Sequence, residues 1–364
     1  MKVIYKIAKS ELSMLFYSPV AWLILVIFTF QTSMAFSGLF SDLVVDQAIG
    51  NRLWDVTERI YTNYRGLLSQ VQQYLYLYIP LLTMGLMSKE RNSGSIKLLF
   101  SSPITNTQII IGKYFAMMIY ALVLIAIILV YIIFGIFTIK DMDIPYTLSG
   151  LLGIYLLTCA YAAIGLFMSS LTSYQVVAAM CTLGVLALLN FVGQIGQDIP
   201  FLRDITYWLS IRGRSDELIG GLICSEDVLY FLIVITLFLM LSILKLKGER
   251  KKTVRKIAVS RYVGVILIAI FLGYLSSIPA LMTFYDATIT KQRTLTPNSQ
   301  EVMKQLKGGL SVTTYVNLLE PNYEAGLPKN MNRDKRLFRQ YIRFKPEMEM
   351  KYVYYYDKTK NESP

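Results

Sequence analysis

Histidine is absent from the 364 residues, and cysteine occurs three times. Without histidine there is no imidazole-ligated metal, no Ser-His-Asp triad and no histidine general base. Cys159 and Cys181 sit in apolar runs, Cys224 stands alone, and no CxxC spacing occurs. That argues against a zinc ribbon, a redox dithiol or a disulfide framework, and it leaves the redox compartment open. Charge is also scarce: 16% of residues are charged and 54% are hydrophobic, whereas a soluble domain carries about 25% charged residues. The phosphate-binding pattern GxxxxGK[ST] is missing, because Gly112-Lys113 lacks the upstream glycine and is followed by Tyr114. The sequence therefore points to no nucleotide hydrolysis within this chain and to no catalytic, metal or cofactor site.

What is present is a series of long charge-free stretches. A charge in the hydrocarbon core is costly, so gaps between charges mark candidate spans. Such gaps cover 12–41, 66–88, 114–139, 144–197, 228–244 and 262–285. The fourth is too long for one crossing and breaks at Ser169-Ser170-Leu171-Thr172-Ser173, giving seven expected spans. The stretch 98–112 is rejected for its Ser, Pro, Thr and Asn content. No small-residue cleavage site follows the first apolar run, which is read as a retained span rather than a signal peptide.

With the N-terminus inside, the internal segments hold fifteen basic residues, from Lys2 to Arg261, against only Glu11, Glu90 and Glu249. The external loops hold seven basic residues against twelve acidic ones. This asymmetry predicts an internal N-terminus and an external C-terminal tail. The net charge of +12 is thus largely juxtamembrane. The sequence offers no compact basic face with interleaved aromatics for nucleic acid, and membrane lipids are the expected partner of the basic segments.

Residues 1–18 place Ile4, Ile7, Ala8, Leu12 and Leu15 at helical spacing, an amphipathic helix stopped by Pro19. The loop 198–227 mixes Phe201, Tyr207 and Trp208 with charge, as an interfacial helix would. The basic run 246–260 reads as an internal linker and a module boundary. It leads to a seventh span at 261–285 and an external region at 286–364. In that region Thr296-Pro297 starts a short helix, Val312, Thr314 and Val316 alternate as in a strand, Leu337, Phe338, Tyr341 and Ile342 recur at helical spacing, and 350–356 reads as a second strand. A β-α-β unit of two strands buries too little to stand alone, so the α/β region, where the chain stops at Asn361-Glu362-Ser363-Pro364, is expected to be the truncated start of a larger domain.

The most informative loop lies between the second and third spans and runs Lys89-Glu90-Arg91-Asn92-Ser93-Gly94-Ser95-Ile96-Lys97-Leu98-Leu99-Phe100-Ser101-Ser102-Pro103. Leu98, Leu99 and Phe100 on a cytoplasmic segment call for a partner surface. The loop resembles that of the type-2 ABC transporter permease family, whose motif has a glutamate, Gly-Thr, a Leu-Leu pair and a proline. Glu90, Gly94, Leu98, Leu99 and Pro103 match, Ser95 replaces the threonine, and Lys97 stands where an acid is common. The resemblance implies an ATPase-coupling loop of Glu90, Arg91, Gly94, Ser95, Leu98, Leu99 and Pro103, in which a coupling helix seats in a groove of a cytoplasmic ABC ATPase. It implies ATP and Mg bound by that partner, a second permease copy in a homo- or heterodimer, a place in the cytoplasmic (inner) membrane, and an exporter-like transport role.

Glu11, Phe16, Ser18-Pro19, Gly221-Leu222-Ile223, Ser225, Asp227-Val228 and Tyr230-Phe231 are similar to the permease subunit of the gliding-motility-associated ABC transporters of Bacteroidota. Asp286-Ala287-Thr288 and Arg293-Thr294-Leu295-Thr296-Pro297 are similar to the start of the matching auxiliary subunit. The expected fold is an α-helical polytopic membrane protein: a six-span permease domain over 1–245, fused to a seventh span and the external α/β region. Two rivals remain from the residues alone. An ion-coupled secondary transporter would need mid-bilayer ionisable groups, and a membrane anchor or sensor presenting the external region would need only one or two spans.

Overall fold

The computed structural model describes residues 2–251, 254–278, 281–345 and 347–357. Lys252, Thr253 and the terminal Asn361–Pro364, which figure in the sequence reading, lie outside the described residues. The chain is predominantly helical, as expected of a polytopic membrane protein. It divides into two compact units, one of residues 1–189 with 214–289 and one of 190–213 with 290–364.

The first unit begins with α1 (Lys2–Tyr17). Ser18 is extended, and Pro19 opens α2 (Pro19–Ala48) as its first residue, a position where the missing N–H of proline costs nothing. The break expected near Pro19 is there. A π-helical turn at Glu58–Thr62 precedes α3 (Leu67–Thr83), α4 (Gly85–Asn92) and α5 (Ile96–Ser101). The long helices α6 (Asn106–Thr138) and α7 (Ile144–Leu171) follow, and α8 starts at Gln175 (Gln175–Phe191). The expected polar break between spans four and five thus falls at 172–174. After α10 (Ile211–Ile219) and β1 (Leu222–Cys224) come α11 (Ser225–Arg250), α12 (Arg255–Ser276) and β2 (Phe284–Asp286). Between α8 and α10 lies α9 (Pro200–Leu209), which belongs to the second unit.

Among the described residues six helices are long and apolar enough to cross a membrane: α2, α6, α7, α8, α11 and α12. The expected second span, 66–88, forms instead the 17-residue α3, which rises only about 25 Å, followed across Met84 by α4. The expected seventh span is shorter than 262–285. Helix α12 ends at Ser276, and β2 follows from Phe284. Ile278-Pro279 in the sequence accounts for the stop, since a proline disfavours helical conformation in the residue before it.

Helix α7 is the hub, with 72% of its apolar window enclosed, against 11% for α12. It packs against α3, α4, α6 and α11, and α12 lies along α11. Large apolar side chains such as Phe30, Phe137, Leu267 and Phe271 stay exposed on the outer helix faces, which suits a hydrocarbon environment rather than water. Helix α1 lies close against α6 because Gly112 has no side chain: a Cβ there would stand 2.7 Å from Ile7 Cγ2 and 3.2 Å from the Ile4 carbonyl. The short strands β1 and β2 pair antiparallel, Leu222 opposite Asp286 and Cys224 opposite Phe284, which ties the segment after α12 to the start of α11.

The second unit contains α9, α13 (Pro297–Gln305), β3 (Ser311–Asn317), α14 (Pro328–Ile342) and β4 (Glu349–Tyr355). The side chain of Thr296 caps α13 by accepting from the Ser299 N–H. Strands β3 and β4 are parallel, from Ser311 opposite Glu349 to Asn317 opposite Tyr355, so 311–355 is the β-α-β unit expected from the alternation. Helix α9 is joined to α14 within this unit: Asn332 Nδ2 donates to Gln197 Oε1 at 2.8 Å, Lys335 pairs with Asp204 at 2.8 Å, and Arg203 reaches the Met331 sulfur.

Candidate functional site

The loop singled out in the sequence folds as a helical hairpin tip. Helix α4 carries Glu90 and Arg91 in its last turn. The chain reverses at Ser93-Gly94-Ser95, where Gly94 has φ +75°, a conformation that glycine adopts without cost. Ser95 Oγ reaches Ser93 Oγ at 2.9 Å and donates to the Glu90 carbonyl at 3.4 Å, holding the turn. Helix α5 then runs six residues to Ser101. Exposed Pro103 follows, and Thr105 with Gln108 forms a reciprocal capping box that starts α6.

Helix α5 buries none of its residues. Leu98 is 73% exposed, while Ile96, Leu99 and Phe100 are half-buried. The expectation of three fully presented apolar side chains is therefore corrected to one, Leu98, flanked by two partly covered ones. A single turn and a half of helix cannot turn three consecutive residues to the same side, since successive residues are about 100° apart.

Two sets of ion pairs and one set of hydrogen bonds hold this tip. Glu90 turns inward: its Oε1 accepts from Lys113 Nζ at 2.7 Å, and the same ammonium pairs with Glu11 of α1. The Lys113 side chain is 2% exposed. One cation thereby fastens α1, α4 and α6 together. Burial pushes the Glu90 carboxyl above the ordinary glutamate range, with the Lys113 charge opposing. Arg91 pairs with Glu249 near the end of α11 at 2.5 Å. Arg250, the last residue of α11, donates to the carbonyls of Ser102 and Ile104 at 3.0 and 2.7 Å and to Asn106 Oδ1 at 3.2 Å.

Of the residues named from the sequence, the structure thus gathers Glu90, Arg91, Gly94 and Ser95 around the turn and sets Leu98, Leu99 and Pro103 beyond it. Glu11, Lys113, Glu249 and Arg250 were missed. Lys113 carried a signal: it is the one charge in Ile109-Ile110-Ile111-Gly112-Lys113-Tyr114-Phe115, and an isolated charge among apolar residues calls for a buried partner.

At the far end of α11 a second cluster forms. Arg214 of α10 donates to Glu226 at 2.6 Å and Asp227 at 2.9 Å, both in the first turn of α11. Its guanidinium lies 5.5 Å from the Tyr230 ring centroid, and Ser277 donates to Glu226 at 3.3 Å. Among the described residues no group of three or more Cys, Asp or Glu could hold a metal.

Long apolar helices joined by a short, ion-braced helical tip fit a membrane-embedded subunit. The family model of the ABC-2 family transporter protein matches residues 5–200, more than half of the chain. The chain belongs to the ABC-2 transporter family. It is a multi-pass membrane subunit of an ABC transporter, a type-2 permease. The ABC-2 permease is not itself the catalyst; ATP is hydrolysed in a separate subunit. The family works in association with an ABC ATPase and as permease pairs. No curated protein matches the sequence.

Proposed function

We propose that this permease moves its substrate across the cytoplasmic membrane by receiving the ATPase stroke on α5, with Glu90, Arg91, Gly94, Ser95, Leu98, Leu99 and Pro103 forming the coupling loop. The observation that carries the reading is Leu98, largely exposed on a helix whose two flanks are fixed to α1, α6 and α11. Burying a leucine side chain in a partner groove is worth roughly 1.5–3 kcal/mol, and the fixed flanks let a push on α5 reach the bundle. In this reading α5 and the basic ends of α11 and α12 face the cytoplasm, following the charge asymmetry, and the α/β unit lies outside. ATP and Mg belong to the partner. The residue matches at 1–245 and 286–297 support a permease of the gliding-associated kind joined to the start of its auxiliary subunit. A second copy or a related permease completes the channel.

The test is co-purification from the native membrane. A Walker-motif ATPase should accompany the wild-type chain in stoichiometric amount. Leu98→Asp with Leu99→Asp should insert normally yet lose that ATPase, because the change removes apolar burial and places charge in the groove. Unchanged ATPase stoichiometry and turnover in the double variant would remove α5 from the coupling role.

A further inference from the structure

Helix α9 is amphipathic in the reverse sense to a water-facing helix. Successive residues turn by about 100°, so Phe201, Leu202 and Ile205 share one side, and Arg203 and Thr206 lie on the other. The polar side is the one that holds the protein. Thr206 is buried. Arg203 donates to the Gln197 carbonyl at 3.5 Å and reaches the Met331 sulfur at 2.8 Å. Asp204, at the rim, pairs with Lys335 of α14 at 2.8 Å. The apolar side is open: Phe201 is 75% exposed, and Leu202 and Ile205 are exposed beside it. Ile195 and Ile199, on the approach to the helix, are exposed too. A helix between core and water does the opposite, turning its apolar stripe inward and its polar face out. Tyr207 and Trp208, whose aromatic rings suggest an interfacial helix in the sequence, are half-buried. The open face is made by other residues.

Exposed apolar side chains gathered on one face call for a cover, and the chain around α9 indicates which. Helix α8 and the 3-10 turn Val192–Gln194 make one apolar span, Gln175–Gln194. From Gln194 to Pro200 the chain reaches about 20 Å at most, less than the roughly 30 Å thickness of the hydrocarbon core. After α10 and β1 it enters the next span, α11, at Ser225. Helix α9 is thus tethered between two spans. Its only charges, Arg203 and Asp204, are engaged by other groups, and the open face has none. A folded protein partner would find no charge or hydrogen-bonding group there to fix its orientation, whereas lipid needs neither. We propose that the apolar face of α9 is sunk in the bilayer interface, with Phe201, Leu202 and Ile205 against acyl chains. Because its polar face is fixed to α14, α9 is the anchor that seats the β-α-β unit on the membrane. This rests on the long helices lying in a membrane, which the family gives, and not on ATPase docking at α5 or on the side of the membrane that the unit occupies.

The experiment uses the full-length protein with Cys159, Cys181 and Cys224 replaced by alanine, reconstituted in nanodiscs and spin-labelled at a single Phe201→Cys or Ile205→Cys. Power saturation reads collisions with oxygen, which concentrates in hydrocarbon, and with a nickel chelate, which stays in water. Leu267→Cys in α12 serves as the hydrocarbon reference and Leu319→Cys in the β-α-β unit as the water reference. The oxygen-to-nickel ratio at both α9 positions should exceed that at Leu319→Cys several-fold and approach that at Leu267→Cys. It should be the same in phosphatidylcholine and phosphatidylglycerol discs, since the face holds no cation. In Phe201→Asp with Ile205→Asp, hydrogen exchange across α9 and α14 should rise several-fold while the spans stay protected. A ratio at the Leu319→Cys level would mean water at the face, and few collisions with either reagent would mean a protein cover such as a second copy. Either result, immersion in phosphatidylglycerol alone, or unchanged exchange in the double variant would overturn the assignment.

Discussion

Two buried ion clusters use the same device for different ends. In the first, one buried ammonium, Lys113 of α6, faces two carboxylates, Glu11 of α1 and Glu90 of α4. In the second, at the first turn of α11, one buried guanidinium, Arg214, faces Glu226 and Asp227. In the second cluster both acids are neighbours in one helix turn, where the helix dipole already favours negative charge. The cation comes from only 12 residues upstream. That is a local clasp, reinforced by the Tyr230 ring and by Ser277. In the first cluster the acids sit 102 and 23 residues from the lysine and come from two separate helices. The same chemistry there joins three elements, one of which ends in the exposed α5. The lesson is that a buried ion cluster acquires a mechanical role through the elements it joins, not through its strength.

Breaking the cation of each cluster separates these roles. Removing one partner of a buried pair costs about 3–5 kcal/mol because the remaining charges stay buried. Lys113→Met and Arg214→Met should therefore lower the thermal midpoint of the purified protein by comparable amounts. Only Lys113→Met should also weaken retention of the ATPase, since only that cluster fixes α4. Equal ATPase retention in the two variants would erase the distinction drawn above.

A smaller effect sharpens the same contrast. Arg250 holds the connection from α5 to α6 through three hydrogen bonds at an exposed position. Arg250→Ala should cost about 1 kcal/mol or less globally. It should nonetheless raise hydrogen exchange at 101–105 selectively, with no change in the first turn of α11.

The smallest effect is in pH dependence. Burial raises the Glu90 carboxyl above its ordinary range, so the folded state binds this proton more tightly than the unfolded chain. The associated stability is full at pH values below the ordinary glutamate value, and it is lost as pH rises through the raised folded one. Glu90→Gln should flatten stability against pH across that window. A slope unchanged by Glu90→Gln would contradict the inward-facing, desolvated carboxyl.

Charge gaps and periodicity located the helices because apolar length and the cost of buried charge act locally. The break at Ser18-Pro19, the break after Leu171, and the β-α-β order of 311–355 were all legible for that reason. The extent of α6 was not, because the gap rule began it after Lys113, while in the fold Glu11 and Glu90 neutralise that lysine and let the helix begin at Asn106. The pairing of β1 with β2 joins residues 60 to 64 positions apart and leaves no periodic trace in three-residue strands. The loop from Lys89 to Pro103 was legible as a motif. Its inward half was not, since no local pattern tells whether Glu90 faces a partner or Lys113.

The most direct test of the coupling role is site-specific photocrosslinking in native membranes. A benzophenone side chain at Leu98 should capture an ABC ATPase subunit in high yield, and the same probe at Leu319 in the α/β unit should capture none. Capture of the ATPase from Leu319, or its absence from Leu98 in a membrane where the complex is assembled and active, would contradict the account.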